Sequence, residues 1–433
     1  MIKINQDTLP AAWPDEFVLP RYDGRSIANV PATVAAILGA PFNGLPALED
    51  ELWQPVAAGA KRVVVLIIDA MGWNLLRLMR DELGAVLGQT AVTGQITSIF
   101  PSTTVAALSS LWTGAAPAQH GLVGFQLFFP EYATGGQMIS FTPVFRKFPD
   151  ALVDAGLEPE KFLQWPGMAE QLAAGGVPTY AVKGRGIVDT ALSKMHGRGV
   201  AANYGVFTFS DLLVQMADLL DEKAGERLYL NAYWPTIDTL SHFYSWDGTA
   251  VQAELRSLFH QIKTEFLDRL TAAARRGTVF FIVADHGQVP YIPEQRIPLT
   301  DHPRLEKMLL MRPLGGAREL YLYARQGQAA RVVQYINEEL GDAFFALPTD
   351  EALAAGLFGP EPFARQTRQR LGDVIAVARQ GHIIYSPADQ KMADEFKAGH
   401  GGLSAAEMEV PWLGFRLDEQ PRYPYRAGSL PSG

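Results

Sequence analysis

Three hydroxyl side chains stand in a row in the segment "IFPSTTVAALSSLWTG". Ser102, Thr103 and Thr104 follow Phe-Pro, at the point where a predicted strand gives way to a predicted helix. A hydroxyl at such a position can cap the helix, and it can also act as a nucleophile at the carboxyl edge of a sheet. For one threonine taken alone, the cap is the commoner role. The choice therefore depends on which other side chains reach the same edge.

Carboxyl and imidazole side chains follow three other apolar segments. Asp69 ends "KRVVVLIID", Asp238 and His242 lie in "YWPTIDTLSHF", and Asp285 with His286 ends "TVFFIVADH". Asp238 and His242 are four residues apart and share one face of a helix, so they suit either one chelated cation or a surface ion pair. Asp69 taken alone is most simply a helix cap.

The Asp285-His286 pair is the least ordinary of these features. An ionised carboxyl group and an imidazole beside a buried strand are costly unless a cation or another partner compensates them. His400 lies in "GHGG", where the flanking glycines let the backbone approach a site closely. Three aspartates, three histidines and one threonine thus stand where the fold would bring them together. The remaining histidines lack such neighbours, and we predict structural or exposed positions for His120, His196, His260, His302 and His382.

The segments around these residues alternate between strand and helix patterns. Near-continuous apolar runs are typical of strands buried on both faces of a parallel sheet, and the i, i+3, i+4 spacing within 249–275 indicates a helix with one apolar stripe. The alternation predicts an α/β fold, with a doubly wound, mostly parallel central sheet and helices on both faces. In such sheets ligands bind beyond the carboxyl ends of the strands. We predict strands at 61–69, 93–100, 177–184, 227–234 and 278–287, and helices at 72–84, 104–113, 210–222 and 249–275.

The pattern changes after residue 287. The segments "ELYLYAR", "DVIAVA" and "HIIYSP" indicate strands and "QAARVVQYINEEL" indicates a helix, which together predict a smaller α+β insert. The predicted domains are a lead-in packed on the core (1–60), the core α/β domain (61–287), the insert as a cap (288–395) and a return to the core with the last candidate ligand (396–433).

Composition narrows the classes of function. The net charge of −9 argues against a nucleic-acid polymer as partner, but it permits a small anionic substrate where a bound cation reverses the local field. The absence of cysteine excludes disulfides, thiolate metal ligands and cysteine nucleophiles. The segment "MIKINQDTLPAAWPDEF" has no apolar h-region, and the longest apolar run is too short to span a bilayer. We therefore expect a cytoplasmic protein without a membrane span.

The ordered set of motifs resembles the alkaline phosphatase superfamily, and within it the nucleotide pyrophosphatase/phosphodiesterase type. Each fragment is weak alone, whereas the complete set in one order is specific. The resemblance extends over about residues 60–415 and is carried by Asp69 at a strand end, "FPSTT", Thr113-Gly114, His120-Gly121, "DTLSH", "DHG" and "GHGG".

The resemblance implies two divalent metal ions, usually zinc, while manganese suits the same oxygen and nitrogen ligands. Register to "FP" and to Thr113-Gly114 makes Thr104, and not Thr103, the implied nucleophile. The implied reaction is an in-line attack that gives a covalent phospho-threonine, which water then hydrolyses. The resemblance assigns Asp69, Asp285 and His286 to one metal and Asp238, His242 and His400 to the other.

Phe125 departs from the family pattern. The diesterases usually carry at this position an Asn that contacts a phosphate oxygen, and a phenylalanine cannot form that bond. Phe125 is our candidate substrate-binding residue because it could stack on a base or aryl group, although packing is the commoner role of such a ring.

Three functions fit the sequence. The favoured one is metal-dependent hydrolysis of phosphodiester or pyrophosphate bonds in a small-molecule phosphate ester or nucleotide. The second is a phosphomonoesterase, phosphonate hydrolase or phosphosugar mutase on the same scaffold, since a fold does not fix the substrate. The third is a non-catalytic protein in which metal ions serve stability or partner binding.

Overall fold

Two seven-stranded sheets form the framework of the computed structural model, which describes residues 13–145 and 148–418. The strands are β1 (Arg62–Ile68), β2 (Val92–Thr97), β3 (Gln126–Phe129), β4 (Thr134–Gln137), β5 (Thr142–Pro143), β6 (Thr179–Gly184), β7 (Ala202–Val206), β8 (Leu228–Trp234), β9 (Thr278–Val283), β10 (Val289–Pro290), β11 (Arg296–Pro298), β12 (Leu314–Gly315), β13 (Glu319–Leu322), β14 (Phe344–Pro348), β15 (Val374–Ala378), β16 (Ile383–Tyr385), β17 (Ala398–Gly399) and β18 (Glu409–Arg416).

Helices fill the connections between these strands. They are α1 (Val30–Leu38), α2 (Gln54–Ala57), α3 (Trp73–Met79), α4 (Gly84–Leu87), α5 (Thr104–Thr113), α6 (Pro117–His120), α7 (Ala151–Asp154), α8 (Pro159–Phe162), α9 (Met168–Ala174), α10 (Ala191–His196), α11 (Phe209–Glu222), α12 (Thr236–Tyr244), α13 (Thr249–Gln261), α14 (Ala272–Arg275), α15 (Pro303–Met308), α16 (Ala329–Glu339), α17 (Thr349–Ala354), α18 (Thr367–Leu371), α19 (Gln390–Glu395) and α20 (Ala405–Met408). Within the described ranges, none of them has the length and apolar character needed to cross a bilayer.

The central sheet has the strand order β2-β18-β9-β1-β8-β6-β7. β1 pairs in parallel with β8 and β9, and β6 pairs in parallel with β7 and β8. Every residue of β1 and β9 is buried, as expected for strands that are covered on both faces. The predicted α/β class with a mostly parallel central sheet is therefore confirmed.

One edge strand of this sheet is absent from the prediction. β7 has the sequence "ANYGV", in which an asparagine and a glycine interrupt the apolar run that marks a buried strand. It pairs with β6 only, so that most of its residues are less than fully buried. Toward the other edge of the sheet, β18 runs antiparallel between β2 and β9.

The predicted helix at 249–275 is interrupted. α13 continues into a π-helical segment, Ile262–Leu267, and α14 is a separate short helix capped by the Thr271 hydroxyl. The buried residues Ile262, Phe266 and Leu270 follow one another at steps of four. Steps of four occur in ordinary α-helices as well as in wider turns, so this row does not by itself predict the π-helical segment.

The second sheet is antiparallel throughout, with the order β14-β15-β13-β12-β3-β4-β5. Its strands come from two parts of the chain, 126–143 and 314–378. The first part lies in the range predicted as core and the second in the range predicted as insert, and a buried apolar cluster that includes Leu127, Leu314 and Ile375 contains residues of both. The domain boundaries themselves stay a prediction.

A two-residue ladder positions the last candidate ligand. β10 and β17 pair through Val289 with Gly399 and Pro290 with Ala398. β10 follows shortly after β9, and His400 follows β17 directly. The ladder therefore brings His400 close to the carboxyl end of β9.

Candidate metal centre

The carboxyl ends of neighbouring strands carry the predicted ligands. Asp69 follows β1, and Asp285 with His286 follows β9, its parallel neighbour. Asp238 and His242 lie on α12, directly after β8 on the other side of β1. Parallel strands end at the same edge of a sheet, and the β10–β17 ladder adds His400 to that edge. The six predicted ligands therefore lie together.

The first group consists of Asp69, Asp285 and His286. His286 Nε2 lies 3.5 Å from Asp69 Oδ1 and 3.5 Å from Asp285 Oδ2. One donor atom from each residue lies within 4.8 Å of the other two. A single divalent cation could therefore bind all three.

The second group surrounds Asp238. Its Oδ2 lies 3.3 Å from His242 Nε2, and its Oδ1 lies 3.5 Å from His400 Nε2. His286 also approaches this group, because its ring stacks on that of His400 at 3.8 Å and its donor atom lies within 4.8 Å of those of Asp238 and His400. His286 thus lies between the two groups, and the assignment of His242 to the second metal stays a prediction.

Hydrogen bonds at Nδ1 orient all three imidazoles. The Nδ1 atoms lie against backbone carbonyls, at 2.9 Å from Ala398 O for His242, 3.1 Å from Gly287 O for His286 and 2.9 Å from Ser102 O for His400. With a proton on Nδ1, each ring turns its Nε2 toward the carboxylates, where the Nε2 lone pair would be available to a cation. This is the arrangement by which proteins orient metal-binding histidines.

Two buried carboxylate oxygens show that the residues fit a cation. Asp69 Oδ1 and Asp285 Oδ2 are buried without a hydrogen-bond partner, in side chains that are 2% and 0% exposed. Isolated buried charge of this kind is costly unless it is paired or coordinates a metal. A donor set of carboxylate oxygens and imidazole nitrogens suits zinc or manganese.

The pKa values describe an electrostatically crowded centre. Burial and the neighbouring carboxylates of Asp285 and Asp238 raise the pKa of Asp69 well above its ordinary value, and burial raises the pKa of Asp285 to about 6. Burial alone would also raise the pKa of Asp238, but the His242 and His400 imidazoles outweigh it and hold that pKa below its ordinary value. Ionising Asp69 and Asp285 together is therefore costly in the metal-free centre, and a bound cation would remove that cost by neutralising their charge.

Thr104 is the hydroxyl that reaches this centre. It is the first residue of α5, and its Oγ1 lies 3.1 Å from His286 Nε2. Because Nδ1 of His286 carries the proton, the Thr104 hydroxyl donates to Nε2. Thr103 occupies the N-cap position with extended backbone, φ −131° and ψ 142°, and its side chain makes no capping hydrogen bond.

Three supporting residues were not predicted. The Tyr233 hydroxyl donates to Asp69 Oδ2, and Gln288 Nε2 donates to Asp238 Oδ1 at 2.6 Å. The Ser102 hydroxyl donates to Gly402 O at 2.8 Å and accepts from Gly401 N at 3.1 Å. Ser102, the first of the three hydroxyls, therefore holds the His400 loop. The available signal was position alone, since Tyr233 is next to last in β8 and Gln288 follows "DHG".

His120 of the "HG" motif has a structural environment. Leu122 N donates to His120 Nδ1 at 3.1 Å, which leaves the proton on Nε2, 3.1 Å from Ser110 Oγ. Burial, with the nearby Arg370 guanidinium, lowers the pKa of His120 to about 3, so the ring is neutral. His120 thus orders the segment after α5.

Phe125 lies directly before β3 and is half-buried. It lines a cavity of about 80 Å³ together with Gln126, Leu314, Ile384 and Met392. An aromatic ring at the edge of a cavity suits either packing or contact with an apolar substituent, and its role in substrate binding stays a prediction.

Comparison with known proteins places the chain in a family. The family model for type I phosphodiesterase / nucleotide pyrophosphatase matches residues 63–403. The fold is similar to murine ectonucleotide pyrophosphatase/phosphodiesterase 5, an inactive variant in complex with AMP, at a TM-score of 0.61 and 17% identity over 82% of this chain and 88% of that chain. It is also similar to phosphonoacetate hydrolase from Sinorhizobium meliloti 1021 in complex with phosphonoformate, at a TM-score of 0.61 and 18% identity over 82% of this chain and 90% of that chain.

No curated protein sequence matches the chain significantly. At 17% and 18% identity the structural likenesses show the fold alone. The family model, however, extends from β1 to the loop after His400 and so contains the whole candidate centre. The chain therefore belongs to the type I phosphodiesterase / nucleotide pyrophosphatase family of the alkaline phosphatase superfamily.

Proposed function

We propose that this hydrolase-family chain cleaves phosphodiester or pyrophosphate bonds of a small-molecule phosphate ester or nucleotide through a phospho-threonine at Thr104. One observation carries the proposal: Thr104 Oγ1 lies 3.1 Å from His286 Nε2, at the start of a helix and beside the clustered carboxylates. A site that only stored metal ions for stability would need no hydroxyl there.

The residues of the centre divide into binding and reacting groups. Asp69, Asp285 and His286 would hold one cation, and the second group would hold another. Two divalent cations, zinc or manganese, would favour the ionised form of the hydroxyl and neutralise phosphate charge. The first backbone amides of α5 favour an anion at the same place.

Thr104 performs the bond exchange. It gives up its proton, which reaches the departing oxygen through solvent, and its Oγ1 attacks phosphorus in line with the leaving oxygen. The Oγ1–P bond forms, the bond from phosphorus to the leaving oxygen breaks, and the leaving group departs with the electron pair. Water then attacks the same phosphorus, the Oγ1–P bond breaks, and Thr104 regains its proton.

A phosphomonoesterase or phosphonate hydrolase is the second candidate. It is favoured by Phe125, which supplies no amide for the phosphate oxygen contact that the resemblance assigns to an Asn at this position. A preference for monoesters or phosphonates would leave the metal centre and Thr104 in the same roles. The two candidates therefore differ in substrate and share the chemistry.

The purified protein tests the proposal directly. We expect two divalent metal ions per chain by elemental analysis, turnover of an aryl phosphodiester, and loss of turnover in a chelator with recovery on adding zinc or manganese. A higher rate on an aryl monoester or phosphonate than on the diester would select the second candidate. Full turnover after complete metal removal would refute the mechanism. If the protein binds metal but turns over none of the three substrates, the non-catalytic alternative is supported.

A further inference from the structure

Four buried polar side chains lie beneath the His400 loop and are not among the candidate metal ligands. They are Tyr291, Arg318, Glu319 and Glu407, with exposed fractions between 0% and 7%. Glu319 begins β13 of the second sheet and Arg318 directly precedes it, Tyr291 follows β10, and Glu407 lies in α20. We call this set the polar platform.

An ion pair forms the middle of the polar platform. Arg318 Nε donates to Glu407 Oε1 at 2.6 Å and Arg318 Nη2 donates to Glu407 Oε2 at 2.9 Å. Arg318 Nη1 donates to His382 O at 2.8 Å. A buried pair of this kind adds little net stability over apolar residues of similar volume, because its desolvation is costly. Its value lies in fixed geometry, which the bidentate arrangement supplies.

Glu407 connects the ion pair to both loops of the candidate centre. Its Oε1 accepts from Gly402 N at 2.8 Å, and its Oε2 accepts from the Ser404 hydroxyl at 2.6 Å. Its backbone carbonyl accepts from Gly287 N at 2.8 Å. One residue thus holds the segment after His400 and the residue after His286.

The glycines around His400 let the loop lie directly on the polar platform. A Cβ atom on Gly399 would collide with the Tyr291 hydroxyl, and one on Gly401 would collide with the Glu319 carboxyl group. Gly401 also has φ +123°, in the region that favours glycine. A side chain at either position would push His400 away from the other ligands.

We propose that the polar platform, through the Arg318–Glu407 pair, is a positioning device that holds His400 Nε2 in place for the second metal ion. The inference rests on the proposed function, because it assumes that His400 binds metal. The backbone ladder at this loop contains two residue pairs only, so it cannot by itself fix the loop. The second sheet thereby supports metal binding at the end of the central sheet.

The test replaces the ion pair without leaving a buried charge. In Arg318→Met/Glu407→Leu the packing is kept and the acceptor for Gly402 N is lost, whereas in Arg318→Met/Glu407→Gln an amide oxygen remains for Gly402 N. We expect wild type to bind two zinc ions per chain, and the Gln variant, which keeps the acceptor but loses the guanidinium fork that orients it, to weaken one site about tenfold. We expect the Leu variant to keep one site while the Kd of the other rises about ten- to hundredfold. The measurement is equilibrium dialysis with elemental analysis, with a circular dichroism spectrum of each variant.

Two further variants complete the design. Arg379→Met/Glu16→Leu removes a partly exposed ion pair at the second sheet, whose Nε and Oε1 atoms lie 2.7 Å apart, and should keep both metal ions. Arg318→Lys keeps the positive charge but loses the two parallel hydrogen bonds of the guanidinium group to Glu407. It should therefore weaken one zinc site about tenfold, and it tests the inference if the Leu variant does not fold. If the Leu variant binds zinc at both sites with wild-type Kd values, this inference is wrong, while the proposed function still stands. If the Leu variant does not fold, the same result in Arg318→Lys has the same meaning. A wild-type protein that binds no metal would overturn the proposed function instead.

Discussion

Thr103 and Thr104 are adjacent and chemically identical, and the backbone separates their roles. Thr103 has extended backbone at the N-cap position, while Thr104 is the first helical residue and places its hydroxyl 3.1 Å from His286 Nε2. The change of backbone direction between them decides which hydroxyl meets the metal centre. Resemblance to a family motif predicted the same choice.

Replacing these two threonines tests that choice. We expect Thr104→Ala to lower turnover of an aryl phosphodiester on the order of a thousandfold or more, because no other hydroxyl takes its place. Thr103→Ala should keep most of the turnover, and both variants should keep two metal ions per chain. Steady-state rates give the answer, and the reverse order of effects would show that the register is wrong.

The buried carboxyl group of Asp285 should make the stability of the metal-free protein depend on pH. Burial raises its pKa from 3.8 to about 6, so between these values the folded state binds more protons than the unfolded state and stability falls as pH rises. Asp285→Asn has no carboxyl group to ionise, so its stability should not fall in this way as pH rises. We expect the metal-free variant to be more stable than wild type above pH 6, by about 3 kcal/mol, and to lose that advantage below pH 4.

Denaturant unfolding in a chelator, at several pH values between 3.5 and 7.5, measures that difference. With saturating zinc the order should reverse above pH 6, because the variant lacks a charged ligand. An advantage of Asp285→Asn that is the same at every pH would contradict the explanation.

At the scale of elements, the glycine of "DHG" shows how closely the loops pack. A Cβ atom on Gly287 would collide with the Ala406 carbonyl oxygen and would lie 3.1 Å from Gly72 Cα. The turn after β9 therefore lies directly against the turn after β1 and against α20. The glycine after the ligands is required by this contact between three elements.

Gly287→Ala should consequently destabilise the protein. We expect a loss of about 1–3 kcal/mol in the free energy of unfolding, as for overpacking elsewhere, together with weaker zinc binding. Gly184→Ala is the matched control, since Gly184 ends β6 with open space around it and an ordinary φ of −53°. Denaturant unfolding of the two variants gives the comparison, and equal stabilities would contradict the packing argument.

At the scale of the whole molecule, the candidate centre joins parts of the chain that are far apart in sequence. Its ligands extend from Asp69 to His400, and the polar platform adds Glu319 from the second sheet and Arg318 directly before it. A cation bound here would tie the ends of β1 and β9 to α12 and the His400 loop. Metal binding should therefore be coupled to the stability of the entire fold.

Thermal and denaturant unfolding at increasing zinc concentration test this coupling. Each site that binds only the folded state should add about 2.7 kcal/mol at a free zinc concentration of one hundred times its Kd. Wild type should gain the contribution of two sites and His400→Ala that of one. A midpoint independent of zinc would show that these residues do not bind the metal in the folded state.

Much of the framework could be predicted from local patterns. Apolar runs marked the buried central strands, and the residues that end them were recognised because charge beside a buried strand is exceptional. β7 and the interruption of the helix after Gln261 were missed, since a short edge strand has no apolar run and a helical stripe does not reveal a wider turn.

Local sequence was enough to predict the types of the candidate ligands, their place at strand ends and the choice of one threonine, because each of these follows from local spacing or an ordered motif. The tertiary structure alone decided that His286 lies between the two groups and that Tyr233 and Gln288 support them. It alone placed the buried Arg318–Glu407 pair beneath His400. The physical reason is that hydrogen bonds and ion pairs between residues distant in sequence leave no periodic pattern, whereas burial of a strand does.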